Sequence, residues 1–195
     1  MCWKAGRAEE SALQLQLPKT VYATFAGTID QFSLPRIFQN CAAASQGGVE
    51  AVHFLFQSTG GIIGDGISLY NFFRTLPFEM HIYNTGSVQS IAIIAYLGAK
   101  NRYVSAYGHF MIHKSYFGAQ AGTNAAKLKA LAEALVMEDD RIEAILRENT
   151  DIPEERWAVH PLQDVTFNAK EAIEFGIAHE LREFDVPSGN QIFNI

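Results

Sequence analysis

Cysteine is scarce in this sequence. It occurs only at Cys2 and Cys41, in no CxxC pair and at no spacing suited to zinc. A disulfide framework and a structural metal site are therefore not expected, and the expected setting is a reduced cytoplasm. Long apolar runs are missing too. The longest, residues 91–98, falls far short of the roughly 20 residues that cross a bilayer. The opening "MCWKAGRAEESALQLQLPKT" lacks the apolar core of a signal peptide, so no membrane partner is expected. Nor is there a cluster of Lys and Arg. With 15 basic against 21 acidic residues the net charge is −6, which works against neutralising phosphates and so against a nucleic-acid partner.

What is present is enough for one buried core: 195 residues, 48% of them hydrophobic, read as a single domain over 1–195. Residues 1–19 are mixed and polar and read as an N-terminal arm. Strands are expected at 20–27, 49–58 and 78–86, and a strand or strand pair over 101–115. Helices are expected at 33–48 and 91–99, and a glycine-rich turn feeding a helix at 60–76. This alternation with short connections points to right-handed βαβ units and a largely parallel sheet, an α/β fold. A small-residue loop, 117–123, leads into the longest helix, about 124–149. There Leu128, Leu131, Leu135, Ile142, Ile145 and Leu146 fall on one stripe. Capping-box spacing recurs at Asp151–Glu154 and Asn168–Glu171, and Gly176 is expected to stop the last helix.

The chemistry concentrates around "NTGSVQSIAIIAYLGA", residues 84–99. Ser90 follows an expected strand and a short turn and opens an apolar helix, where free N–H groups favour developing negative charge. Serine is also preferred at a helix N-cap, and the turn lacks the GxSxG elbow. Local pattern thus leaves cap and nucleophile both open, for Ser87 as for Ser90. "STGG", residues 58–61, gives two glycines at a strand's end, where backbone amides can approach a ligand; an ordinary tight turn reads the same way. A serine hydroxyl needs a base, and that base an orienting group. Of the six histidines, His53 and His81 sit inside strand patterns, and His160 and His179 have no motif around them. His109 and His113 lie in "GHFMIHKS", with His113 at the strand terminus. Among the acids, Asp164 stands out in a loop between two capped helices.

Taken together these segments resemble the Clp protease proteolytic-subunit family, serine peptidases of the Clp/crotonase fold and peptidase family S14, from about Val21 to Phe184. "FQSTGGIIGDGISLYNFFRTL" is similar to the family's "INSPGG…AG…IYD…" segment. "TGSVQSIAIIAYLGAKNRYVSAYGHFMIHKS" resembles the family's serine-bearing turn and helix followed by "MIHQP". "DVTFNAKEAIEFGIAHEL" resembles "DRFLSAxEAxEYGLVDEV". The resemblance implies a fold of repeated ββα/βαβ units with a protruding handle helix, here 124–149. It puts the nucleophile on Ser90, the general base on His113 and the orienting acid on Asp164. The oxyanion donors become the N–H groups of Gly61 and Ile91. No metal or other cofactor is implied. The implied partners are a polypeptide substrate, further copies of the chain in heptameric rings, and an AAA+ unfoldase.

The sequence departs from the family at several points. Val88-Gln89 replaces Ala-Ala before the serine, Ile91 replaces Met after it, and Lys114-Ser115 replaces Gln-Pro after the base. The first 20 residues do not resemble the family's axial-loop segment. A Ser–Lys pair, as in the related signal-peptide peptidase A proteins, would use Lys114; but neighbours on a strand face opposite ways, so Lys114 faces away if His113 faces Ser90. Two other functions share the fold. One is a weakly active scaffold subunit. The other is a crotonase-like acyl-CoA enzyme, for which no basic cluster is available.

Overall fold

A computed structural model describes residues 18–116, 118 and 121–195. The expected arm over 1–19 lies almost wholly outside these residues, and so do parts of the loop expected at 117–123. The main sheet has the strands β1 (Thr20–Ala26), β2 (Ala51–Gln57), β3 (Glu79–Asn84), β5 (Asn101–Val104), β8 (Glu180–Leu181) and β9 (Ile192–Asn194). They pair in parallel in the order β8-β5-β3-β2-β1-β9. The helices α1 (Ser33–Gln46) and α2 (Ile63–Arg74) make the crossovers. A second sheet of three strands, β4 (Ser87–Gln89), β6 (His109–Ile112) and β7 (Val165–Asn168), pairs in the order β4-β6-β7. The helix α3 (Ile91–Leu97) follows β4, and α4 (Ala125–Asn149), α5 (Glu154–Val159) and α6 (Ala169–Glu174) complete the chain.

The parallel sheet and the long helix agree with the sequence reading; 101–115 holds two strands, β5 and β6, but they lie in different sheets and do not pair with each other. The short strands β4, β7, β8 and β9 fall outside the expected elements. Each spans two to four residues, too few for a period to stand out. The Asn168–Glu171 capping box forms on both sides, and Gly176 follows α6 with φ 72°. The box expected at Asp151 does not form. Pro153 takes the N-cap of α5 without a side-chain bond, and the Asp151 N–H donates instead to the Phe175 carbonyl at 2.8 Å.

Local chemistry explains the framework. Asp30 accepts from the N–H groups of Phe32 and Ser33, both at 2.9 Å, and so starts α1. That helix then buries Ser33, Ile37, Cys41 and Ala44 on one face. Burial pushes the Cys41 thiol up to about 12, which leaves it an inert core group. In β2 the side chains alternate, with Val52, Phe54 and Phe56 buried and His53 half-buried. On the opposite face Tyr22, His53, His81 and Tyr103 form a ladder of stacked rings across four strands, the central imidazoles 4.7 Å apart.

The core centres on α3, all seven of whose residues are buried. A helix apolar on every side must be enclosed on every side. Two glycines let α2 come close enough to enclose it. A Cβ on Gly66 would lie 2.4 Å from Ile91 Cγ1, and one on Gly98 would lie 2.6 Å from the Tyr70 carbonyl oxygen. Among the described residues no helix is long and apolar enough to cross a membrane, and no group of three or more His, Cys, Asp or Glu is placed to hold a metal ion.

Two outcomes follow for stability. Gly98→Ala meets backbone rather than a yielding side chain, so it should cost about 1–3 kcal/mol and lower the midpoint of denaturant unfolding; an unchanged midpoint would refute the close approach. The second concerns pH. His53, His160 and His179 are each held below the ordinary imidazole value, first by burial, and next by His81, Lys114 and Arg102 respectively. A depressed folded value means that the unfolded chain binds the proton more readily. Stability is then full above about pH 6.5 and falls as the pH drops from there through the folded values. Thermal scans from pH 7.5 to 5 should show a falling Tm, less steep in His53→Phe; a flat profile would contradict it.

Candidate active site

The small sheet brings the sequence-selected residues to one end of the molecule. Ser90 follows the last residue of β4 and His113 follows the last residue of β6. β6 and β7 are antiparallel, and their register ends with Ile112 opposite Val165. One step further the same register sets His113 opposite Asp164, where cross-strand side chains share a face. The spatial order β4-β6-β7 is thus also the order Ser90, His113, Asp164.

Ser90 is held in an unusual conformation. Its φ of 55° and ψ of −135° make it the one non-glycine residue with positive φ among those described. Such a backbone costs about 1–3 kcal/mol and persists only where neighbours impose it. Those neighbours are identifiable. The Ser90 N–H donates to the Met111 carbonyl at 2.7 Å and the Gln89 N–H to the Ser58 carbonyl at 2.9 Å. Ser90 occupies the N-cap position of α3, yet its hydroxyl makes no cap hydrogen bond. The capping role that local pattern allowed is therefore not the one its side chain performs. Ser87 lies within β4, its Oγ 3.4 Å from His109 Nε2, which Gln89 also reaches.

The glycine turn is fitted against this serine. A Cβ on Gly60 would lie 2.7 Å from Ser90 Cβ, and one on Gly61 only 2.0 Å from the Ile29 carbonyl oxygen. Their φ values of 106° and 153° suit glycine alone. The Gly60 carbonyl accepts from the Ile29 N–H at 2.9 Å. In a trans peptide the carbonyl and the following N–H point opposite ways, so the Gly61 N–H is turned away from Ile29. The same holds at the serine. Its carbonyl accepts from the Ile93 N–H at 3.1 Å inside the helix, so the Ile91 N–H is directed outward. Gly61, Ile91, Ser90 and His113 all line one cleft of about 340 Å³, with Thr28 and Tyr116. Two donors aimed past a free hydroxyl can stabilise an oxyanion formed on it.

The base and the acid are less closely joined. His113 Nδ1 lies 2.7 Å from the Lys114 carbonyl. A carbonyl only accepts, so Nδ1 carries the proton and the neutral ring's Nε2 is left as the basic nitrogen. No hydrogen bond joins His113 to Ser90 or to Asp164, and the Asp164 carboxylate has no partner among the described residues. Asp164 lines a neighbouring cleft on the other side of His113, with Lys114 and His160. Lys114 stands 3.7 Å from both Asp139 and Glu143 of α4 and does not line the Ser90 cleft, so it is engaged away from the serine. His160 caps the end of α5 and is buried.

Two contributors are not singled out by the sequence. The buried Ser58 hydroxyl accepts from the Gly60 N–H at 3.1 Å and so shapes the glycine turn; its place two residues before a Gly-Gly pair is the available signal. Tyr116 tilts its ring against His113 at 5.5 Å, a contact that no sequence spacing encodes.

This chain is similar to characterised proteins over most of its length. The model of the Clp protease family matches residues 9–184. The ATP-dependent Clp protease proteolytic subunit of Streptococcus sanguinis is 25% identical over 141 residues, covering 71% of this chain and 72% of that protein. The protein of the same name from Paracoccus denitrificans is 25% identical over 154 residues, 78% of this chain and 76% of its own length. The solved structure of a ClpP1 point mutant from Listeria monocytogenes superposes with a TM-score of 0.71 at 21% identity, covering 85% of this chain and 92% of its own. The fold is therefore of the Clp/crotonase type, and the chain belongs to the Clp protease family of peptidases.

Proposed function

We propose that this chain is a serine-type endopeptidase that hydrolyses unfolded polypeptides or peptides through Ser90, His113 and Asp164. The observation that carries this reading is that Ser90 and His113 line one cleft beside the glycine turn, with Asp164 opposite His113 in the continued β6–β7 register. In the reaction Ser90 Oγ attacks the scissile carbonyl and His113 Nε2 takes its proton. The same nitrogen then protonates the leaving amine. Asp164 holds Nδ1–H and stabilises the imidazolium. The Gly61 and Ile91 N–H groups bind the oxyanion. For this the Nδ1–H hydrogen bond changes acceptor, from the Lys114 carbonyl to the Asp164 carboxylate, with the proton staying on Nδ1, and apo sites of this kind commonly tighten only with substrate bound.

The long helix supports an oligomeric chamber. The lower part of α4 packs on the core through Leu146, with Ile142 and Ile145 against it. Further up, Leu128, Val136 and Met137 are 42%, 59% and 55% exposed. Apolar side chains left open along a protruding helix suit a second copy of the chain, and heptameric rings stacked through this handle are the assembly that we propose. Enclosure would also explain how an unselective peptidase in the cytoplasm spares folded proteins, with an AAA+ unfoldase supplying the substrate. No metal or organic cofactor takes part in this reading.

Ser90→Ala should lower peptide hydrolysis by at least about 10²–10³-fold, as losing even one oxyanion donor does, and abolish labelling by a fluorophosphonate, with Tm and oligomeric state retained. Undiminished hydrolysis in that variant would remove the assignment. A wild-type chain that assembles but resists the label would instead be a scaffold subunit. Met137→Glu should shift the assembly to smaller species in sedimentation velocity, with its far-UV circular dichroism unchanged. An unaltered sedimentation coefficient would argue against the handle interface.

A further inference from the structure

The segment that follows His113 is anchored twice to one carboxylate of α4. The Ser115 N–H donates to Asp139 Oδ1 at 2.8 Å, and Lys114 Nζ stands 3.7 Å from Asp139 Oδ2. Both anchored residues are departures from the family, whose Gln-Pro is Lys114-Ser115 here. A proline fixes φ and has no N–H to give. Serine frees φ and adds an N–H, and Asp139 supplies both the acceptor and the restraint. The Asp139 side chain is 19% exposed, so water competes poorly for it. A bond to an ionised acceptor is also roughly twice as strong as a neutral one.

The position of this segment matters because of what else it holds. The Ser115 N–H and the Lys114 carbonyl belong to one planar peptide group. Asp139 takes its N–H, and its carbonyl accepts from His113 Nδ1 at 2.7 Å. The result is an unbroken line from carboxylate to peptide to imidazole. Hydrogen bonds in such a line polarise one another, so the anion at one end strengthens the acceptor at the other. Ser115 and Tyr116, the next two residues, line the Ser90 cleft beside His113.

We propose that Asp139 is a positioning residue for His113: through the Lys114–Ser115 peptide it fixes and polarises the carbonyl that keeps the proton on Nδ1 and leaves Nε2 basic. This rests on the reading of Ser90, His113 and Asp164 as a catalytic set. Asp139 touches no reacting atom. It prepares the resting base, and Asp164 receives the same Nδ1–H when the ring turns. A site on a rigid helix suits this task, because a group that orients a reacting side chain must itself be held.

The test compares Asp139→Ala, which leaves the Ser115 N–H without its acceptor, with Asp139→Asn, which keeps a carbonyl oxygen there. Asp139→Ala should lower kcat and the fluorophosphonate labelling rate by about tenfold; Asp139→Asn should recover most of the loss. Nitrogen-15 histidine NMR supplies a readout that a merely structural role would not move. In the wild type the neutral His113 ring should carry its proton on Nδ1, and in Asp139→Ala the share with the proton on Nε2 should rise. A wild-type ring protonated chiefly on Nε2 would overturn the proposal without any variant. So would a fall in rate in Asp139→Ala with no change of tautomer. Full labelling of Asp139→Ala, with Ser90→Ala silent, would overturn the Asp139 role alone. Labelling that survives Ser90→Ala would overturn the catalytic reading, and this one with it.

Discussion

The hydrogen bond from the Ser90 N–H to the Met111 carbonyl, 2.7 Å long, is the joint on which the site turns. It fastens the end of β4 to β6 two residues before His113. It also helps to hold Ser90 at a positive φ, which frees its hydroxyl from capping α3. Ser58 completes the joint from the other side. Its backbone bridges to Val88, while its hydroxyl holds the Gly60 N–H. A serine, a glycine turn and a histidine far apart in sequence are thereby fixed by main-chain bonds rather than by flexible side chains. Such an arrangement gives a reacting group its precision.

The rest of the fold keeps that joint rigid. The all-buried α3 begins at Ser90 and ends against Tyr70 through Gly98. Tyr96, within the helix, donates its phenol to the Tyr103 carbonyl at 2.7 Å and so ties it to β5. Close packing transmits any added volume. The glycines at 60, 61, 66 and 98 are therefore conditions of the architecture, because each meets another residue's atoms under 3.0 Å away if given a Cβ.

Much of this was legible in the sequence, for reasons that can be named. The main strands and helices carry long periodic patterns, and the parallel order follows from their alternation. Ser90, Gly61 and His113 stood at ends of expected elements, and the structure gathers them with Ile91 in one cleft. Asp164 read as a loop acid because β7 is only four residues long, though "VTFN" does alternate. The cross-strand register that sets it opposite His113 is a tertiary fact without a local signal. The same is true of the buried His160, whose isolation before Pro161 gave no hint of its surroundings. The N-cap reading of Ser90 found the right position and the wrong use of the hydroxyl. Capping preference is a statistical average over serines, and backbone strain overrides it here.

The bond between His113 Nδ1 and the Lys114 carbonyl has an energetic consequence. A resting imidazole could have its nitrogens protonated the wrong way round, and would then have to exchange a proton before it could act. Here the carbonyl already selects the Nδ1–H form. Turning the ring to a carboxylate replaces one acceptor by a stronger one, with no change of tautomer and no hydrogen bond lost. The change asks only for a rotation of the ring, with no proton exchange before it.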